Sequence, residues 1–378
     1  MSLLNEDQEI LQKVVREFAH KKIAPKAAEY DRTEEFPWDN ITVMADLDLL
    51  GIPIPEKFGG AGLDTVSYML TIEEISKACA ATGAILAVHT SAGTMPILLF
   101  GTEEQKQKYL PALASGKKIG AFALTEPGAG SDASRVATTA VRDGDFYILN
   151  GTKCFITNGG AAEIYTIFAS MDKTKGTKGI TAFIVEKGTP GFSIGKKEKK
   201  MGIRASSTTE LIFENCRIPA ENKLGEEGKG FKIAMMVLDG ARIGIGSQAL
   251  GIAQAAYEES LQYAKVREQF GKPIANLQAV SFMLADMAIQ IEAARQLVYH
   301  TATLKDQGLS YGKEAAMAKT FASDTAVAVA LNAIQIMGGY GYSREYAVER
   351  LFRDAKITQI YEGTNQIQRV VIASHILK

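Results

Sequence analysis

A chain of 378 residues sets 42 Lys and Arg against 43 Asp and Glu, so it offers no basic field to nucleic acid or to an anionic membrane. Such a surface leaves small-molecule chemistry or protein contact open. The length exceeds what one compact core usually serves, and two or three sub-domains sharing an interface are expected.

The N-terminal MSLLNEDQEI carries acids where a signal or transit peptide is basic and acid-poor. Nothing in it directs export, so a bacterial cytoplasm is expected, or a mitochondrial matrix for a chain whose presequence has been removed. Leu11, Val14, Val15 and Phe18 recur at helical spacing until Pro25, and similar patterns run to about residue 120. Within this helical third, KFGGAG at 57–62 lacks the G-K-[ST] ending of a phosphate loop and reads as a turn. Residues 78–102 contain no Asp, Glu, Lys or Arg, but Pro96, glycines, His89 and several hydroxyls interrupt them. A buried core helix followed by a turn is predicted there rather than a membrane span.

Over 121–226 the texture becomes short β-rich runs such as DFYILNGTKCFIT, EIYTIFAS and TTELIFENCRIP, punctuated by Asp143-Gly144, Asn150-Gly151 and Pro190-Gly191. After Gly230 come long segments rich in Ala, Leu, Met and Glu. The first is stopped by Gly271 and Pro273, the second covers about 275–307 and the third about 313–337. The fold class is therefore α+β and multidomain: an N-terminal α-helical domain (1–120), a small middle β-barrel or sandwich domain (121–226) and a C-terminal four-helix bundle (227–378).

Cys79, Cys154 and Cys216 form no CxxC and the four histidines no HExxH, so neither a zinc site nor a disulfide framework is indicated and a reducing compartment suits the chain. GAGSDA at 128–133 fits G-x-G-x-x-A in form, yet it follows Thr-Glu-Pro and leads toward a hairpin instead of opening a crossover helix. Its glycines, hydroxyls and amides still suit a phosphate or a polar ring edge. KKEKK at 196–200 is a solvated loop or a phosphate contact. QIMGGYGY at 335–342 ends a helix with glycines that also admit a ligand close to the backbone.

Close to the C-terminus stands QIYEGTNQIQR, 359–369. Asn365 followed by Gln368 fits a capping box, so a helix starts near residue 366 and leaves Glu362 outside it. Gly363 removes any side chain that would crowd the carboxylate. Spacing alone leaves both a helix-terminus acid and a catalytic base open.

QIMGGYGYSREYAVERLFRD, IYEGTNQIQR and AFALTEPGAGSD together resemble the acyl-CoA dehydrogenase family, in particular its short-chain, butyryl-CoA-type members, over essentially the whole chain. The resemblance implies FAD-dependent oxidation of the Cα–Cβ bond of an acyl-CoA to a trans-2-enoyl-CoA, with electrons passed to an electron-transfer flavoprotein. It makes Glu362 the base that takes the α-proton while a hydride leaves Cβ for flavin N5. An α-proton of a thioester is a weak acid, so the carbonyl oxygen needs aimed donors and a dry site. In the family the donors are a flavin ribityl hydroxyl and the backbone N–H of the glutamate. Some members place the base on the helix that here reads LDGARIG; the matching residue is Ala241, and no second acid competes there.

By the same match Phe122, Leu124, Thr125, Gly130 and Ser131 line the flavin ring and phosphates. Phe155, Ile156 and Thr157 supply a wall and a hydrogen bond near N5, Phe155 standing where many relatives carry tryptophan. Arg267, Gln269, Phe270, Gln335 and Gly339 reach a neighbouring subunit's FAD, while Thr364 and Gln366 contact the adenylate side. That arrangement implies an oligomer, commonly a tetramer built as a dimer of dimers. Asp239 and Arg242 hold the pantetheine arm, and Ser131, Tyr361 and Gly363 flank the thioester. The charge-free 78–102 stretch matches the acyl-pocket helix, which favours a neutral, short acyl chain. The alternatives are an oxygen-using acyl-CoA oxidase of the same fold and a non-catalytic acyl-CoA- or flavin-binding assembly protein.

Overall fold

The computed structural model describes residues 4–377. Seven α-helices come first: α1 Glu6–Phe18, α2 Ala27–Thr33, α3 Trp38–Ala45, α4 Thr65–Ala78, α5 Ala80–Ala87, α6 Met95–Phe100 and α7 Glu103–Ala114. Side-chain caps start several of them. Asn5 and Gln8 close a capping box on α1, and Thr102 and Gln105 close another on α7. Cys79 is extended and separates α4 from α5. From there helical turns continue through a π-helical stretch, Val88–Thr94, into α6. Helix persists to Phe100, and the expected turn follows only at Gly101, where the chain becomes extended. Length and composition would let Ala80–Phe100 cross a membrane, but 78% of its most apolar window is buried inside the protein's own core.

The sheet comprises β1 Gly120–Ala123, β2 Thr139–Asp143, β3 Phe146–Thr157, β4 Ile164–Ser170, β5 Ile180–Glu186, β6 Phe192–Lys197, β7 Thr208–Pro219 and β8 Lys223–Leu224. Its order is β6-β7-β3-β2-β4-β5-β8, with β1 alongside β4. The β2–β4 junction rests on one pair, Thr139↔Ser170. The sheet therefore divides into an antiparallel β6-β7-β3-β2 half and a β1-β4-β5-β8 half. Register shifts between Lys153 and Ile156 bend the end of β3, where Phe155 stands out.

Five further helices follow: α8 Gly230–Val266, α9 Gln278–Asp306, α10 Gly312–Met337, α11 Ala347–Thr358 and α12 Asn365–Ile376. α8 through α11 form the bundle, and α4 also lies along α8. Small residues let these backbones close up: a Cβ added at Gly251 would come within 2.3 Å of the Glu73 carbonyl oxygen. α8 stops at Val266, earlier than Gly271 and Pro273 suggested. A hairpin intervenes, β9 Glu268–Gln269 with β10 Lys272–Pro273. Its tip residues Phe270 and Gly271 have φ of 53° and 75°, the paired left-handed geometry of a tight hairpin turn. A second hydrophobic cluster, including Val88, Ile97, Leu124, Phe168 and Val237, lies where the first helices, the sheet and α8 meet.

Candidate active site

Between α11 and α12 the chain makes a short loop closed by Asn365 N–H donating to the Gln359 carbonyl at 3.0 Å. Glu362 and Gly363 both occupy left-handed conformations, with φ of 56° and 92°. For glutamate that costs on the order of 1–3 kcal/mol, and the surroundings enforce it. Gln368 Nε2 donates to the carbonyls of Glu362 (3.1 Å) and Gly363 (2.9 Å). A Cβ at residue 363 would come within 2.7 Å of that nitrogen, so glycine is required there on two counts. The cap of α12 is Thr364, whose Oγ1 accepts from Ile367 N–H at 3.3 Å. The predicted Asn365–Gln368 box does not form. Asn365 begins the helix with its amide turned to Ser323 and Asp324.

Glu362 Oε2 is closed to solvent and has no hydrogen-bond partner. Burial pushes the carboxyl up to about 7, against the pull of the Arg242 and Lys319 charges. The Glu362 N–H likewise makes no hydrogen bond among the described residues. Arg242 sits on α8, almost wholly buried, with Nη1 2.5 Å from Asp239 Oδ1 and its Nε unpartnered. Tyr361 donates its hydroxyl to Gln248, whose amide nitrogen donates to Ala80 O at 3.1 Å. The loop is thereby tied to the start of α5. A cavity of about 350 Å³ opens beside this cluster, walled by Tyr68, Ser91, Met95 and Leu99 on one side and by Asp239, Ala241, Lys305 and Tyr311 on the other. The charge-free helix supplies its apolar wall as expected from sequence. Its charged groups come from α8 and α9.

A second group forms around the end of β1. Cys154 N–H donates to Thr125 O at 3.0 Å. Buried Lys153 donates to Leu124 O (3.2 Å) and to Glu126 Oε1 (2.7 Å). Glu126 also accepts from Ala137 N–H (2.6 Å) and Thr138 N–H (3.0 Å). Burial raises this carboxyl, but Lys153 and those donors outweigh it and leave it below its ordinary value. Burial likewise draws Lys153 down to about 8. This clasp ties Leu124 and Thr125, just past the end of β1, to Lys153 and Cys154, which precede Phe155, Ile156 and Thr157 on β3.

The arrangement fits a flavin. Phe155 is 65% exposed with φ of 55°, a ring held out from the strand end. Added Cβ atoms at Gly128 and Gly130 would meet nothing within 4 Å. The hydroxyls of Thr125, Ser131 and Thr157 donate to no partner among the described residues. FAD would rest its ring against the 155–157 wall and its phosphates against the Gly130–Ser131 turn.

Arg267, Gln269 and Gly339 share a separate open concavity of about 600 Å³ with Tyr263 and Tyr340. Phe270 projects from the hairpin tip at 89% exposure, and Gln335 is exposed on α10. Thr364 and Gln366 lie at the start of α12. Among the described residues no hydrogen bond or shared cavity joins Arg267, Gln269 and Gly339 to Glu362 or to the Phe155 wall. Sequence reasoning missed Tyr68, Gln248, Lys305, Lys153 and Lys319. The readable signal was a lysine among the alanines of AAMAKTFAS and another within a β-rich run. Among the described residues no cluster of three or more His, Cys, Asp or Glu gathers for a metal.

A helical first third, a middle sheet and a terminal bundle together place the Glu362 carboxylate beside Arg242 and Lys319. The chain matches the acyl-CoA dehydrogenase N-terminal domain over residues 5–117, the middle domain over 121–216 and the C-terminal domain over 228–377. It belongs to the acyl-CoA dehydrogenase family of oxidoreductases. It is 59% identical to an acyl-CoA dehydrogenase of Bacillus subtilis over 99% of both chains. It is 54% identical to a short-chain specific acyl-CoA dehydrogenase of Clostridium acetobutylicum, again over 99% of both. Butyryl-CoA dehydrogenase of Megasphaera elsdenii superposes with a TM-score of 0.98 at 52% identity over 99% of both chains. A chain solved in work on the electron transferring flavoprotein of Acidaminococcus fermentans and flavin-based electron bifurcation gives 0.98 at 54% identity, over 99% of both. An acyl-CoA dehydrogenase of Bacillus anthracis complexed with FAD gives 0.93 at 39% identity, over 99% of this chain and 68% of that one.

Proposed function

We propose that the protein dehydrogenates short-chain, straight acyl-CoA thioesters to trans-2-enoyl-CoA, with Glu362 as the base. The observation that carries this is the half-buried Glu362, its Oε2 closed to solvent and unpartnered and its carboxylate flanked by Arg242 and Lys319. An ionised carboxylate in that setting is poorly solvated and is a stronger base than one in water. Its free N–H is a donor for the thioester carbonyl oxygen, where negative charge develops as the α-proton leaves. The cavity walled by Met95 and Leu99 takes the acyl chain and excludes water, while Asp239 and Arg242 orient the pantetheine arm. Ser131, Tyr361 and Gly363 border the thioester. Bound FAD supplies the acceptor for the hydride that leaves Cβ.

Phe122, Leu124, Thr125, Gly130, Ser131, Phe155, Ile156 and Thr157 are assigned to this chain's own FAD. Arg267, Gln269, Phe270, Gln335 and Gly339 are assigned to the FAD of a neighbouring subunit, and Thr364 and Gln366 to the adenylate side. Their separation from the first set supports that division, and with it a homotetramer. Domains of 1–120, 121–226 and 227–378, an electron-transfer flavoprotein as acceptor and a cytoplasmic or matrix setting complete the reading. The test is an anaerobic visible titration of the flavin-loaded protein with butyryl-CoA, then with longer, branched and dicarboxylyl acyl-CoAs. Bleaching by the short straight chains is expected; a flavin that none of them reduces would overturn the assignment.

A further inference from the structure

α10 buries one lysine among its alanines. Lys319 exposes no surface to solvent, and its Nζ donates to Gly363 O at 2.9 Å and to Asn365 Oδ1 at 2.8 Å. Among the described residues it has no carboxylate within ion-pair distance. An ammonium buried without a contacting carboxylate costs several kcal/mol of desolvation. Stability alone therefore does not account for a lysine here. Burial draws Lys319 down to about 7; the Glu362 and Asp324 charges favour its protonated form and Arg242 opposes it.

Its hydrogen bonds have a specific mechanical effect. Gly363 O accepts from both Lys319 Nζ and Gln368 Nε2, and Glu362 O accepts from Gln368 Nε2. The peptide planes on both sides of Gly363 are thus held, and turning either would strand a buried donor. Asn365, the second acceptor of Lys319, is itself gripped by Ser323 and Asp324. α10 accordingly grips the loop at the point where Glu362 is forced into its left-handed conformation.

We propose that Lys319 is a positioning residue for the reaction: by fixing the Gly363 carbonyl it aims the Glu362 carboxylate at the substrate's α-carbon, and when protonated it favours the ionised base. This rests on the assignment of Glu362 above. The titratable and charged groups that face Glu362 are Arg242 with its partner Asp239 on α8, Lys319 with Asp324 on α10, Tyr68 on α4 and Tyr361 in the loop itself. Of these, Lys319 is the group that also binds the loop backbone.

The test compares wild type, Lys319→Met, Lys319→Gln and Lys319→Arg as FAD-loaded protein, by stopped-flow anaerobic bleaching with butyryl-CoA across pH. For Lys319→Met we expect unchanged flavin content and butyryl-CoA affinity within a few-fold. Its limiting reduction rate should fall about 100-fold, as for a misaimed reacting group, with the pH midpoint raised by about one unit through loss of a nearby opposite charge. Lys319→Gln should keep more of the rate but show the raised midpoint; Lys319→Arg should restore the midpoint. A readout free of turnover is the Glu362 carboxylate infrared band of the apoprotein, located by difference against Glu362→Gln, which should titrate at higher pH in Lys319→Met. Wild-type reduction rate and midpoint in Lys319→Met overturn the inference. If that variant does not fold, an unmoved midpoint in Lys319→Gln overturns it instead. A wild-type flavin that no acyl-CoA bleaches overturns the functional assignment and this inference together, a result distinct from a bleached wild type matched by its variants.

Discussion

Replacing Glu362 with glutamine should move activity and stability in opposite directions. The amide keeps the side chain's shape and removes its basicity, so anaerobic flavin reduction by butyryl-CoA should slow by about 10³-fold or more, within the range for loss of a general base. Stability should rise, because the native carboxyl sits at about 7 against 4.5 for the exposed group. With the folded value raised, the native state binds more protons between those two values. The stability that protonation provides is complete below pH 4.5 and is lost as pH rises through 7. At pH 8 wild type therefore carries a penalty of roughly 3 kcal/mol that glutamine escapes. Spread over 378 residues, that is about 4 °C in Tm. Calorimetry of both proteins at pH 8 and pH 4.5, beside stopped-flow reduction, measures the pair of effects. A Tm gain of equal size at both pH values would refute the desolvation account, and undiminished reduction would refute the base.

The same ionisation should appear in wild type as a reduction rate, at low butyryl-CoA, that climbs with pH to half its limit near pH 7; a flat profile from pH 6 to 9 would contradict it. Gly363→Ala should cost about 1–3 kcal/mol of stability and most of the turnover, since its Cβ meets Gln368 Nε2; denaturant unfolding and steady-state rates check both. His89 accepts from Gly120 N–H and lies 3.0 Å from Leu113 O, and burial lowers it from 6.5 to about 4. Its contribution is present above pH 6.5 and lost as pH falls toward 4, by roughly 3 kcal/mol, so His89→Gln should flatten the acid side of the stability curve measured by urea unfolding. Lys153→Met strands Glu126 and should destabilise by about 3–5 kcal/mol, with flavin release followed by absorbance after gel filtration.

The place of Glu362 just outside a helix start was legible because it is local, while its role was not, since spacing alone left a helix-terminus acid and a base both open. Thr364 and Asn365 are both good capping residues one position apart. The choice fell to Thr364 because Lys319, Ser323 and Asp324, more than forty positions earlier, engage the Asn365 amide. The three long helices were plain from their spacing. The hairpin at 268–273 was not, because it hangs on Phe270 adopting a conformation its side chain disfavours. Lys319 escaped notice since a lysine on a helix normally faces water, and what buries this one is a loop far along the chain. The far wall of the cavity beside Asp239, Lys305 to Gly312, arises from how α9 returns against α8, which no local pattern encodes.

Phe155, Phe270 and Glu362 are three of the eight non-glycine residues with positive φ among those described, and each stands at a position assigned to cofactor or chemistry. Glycine would relax every one of these backbones. A population of variants screened only for heat resistance, blind to turnover, would drift toward glycine at 155, 270 and 362, and its hardiest survivors would be the least able to carry out the reaction.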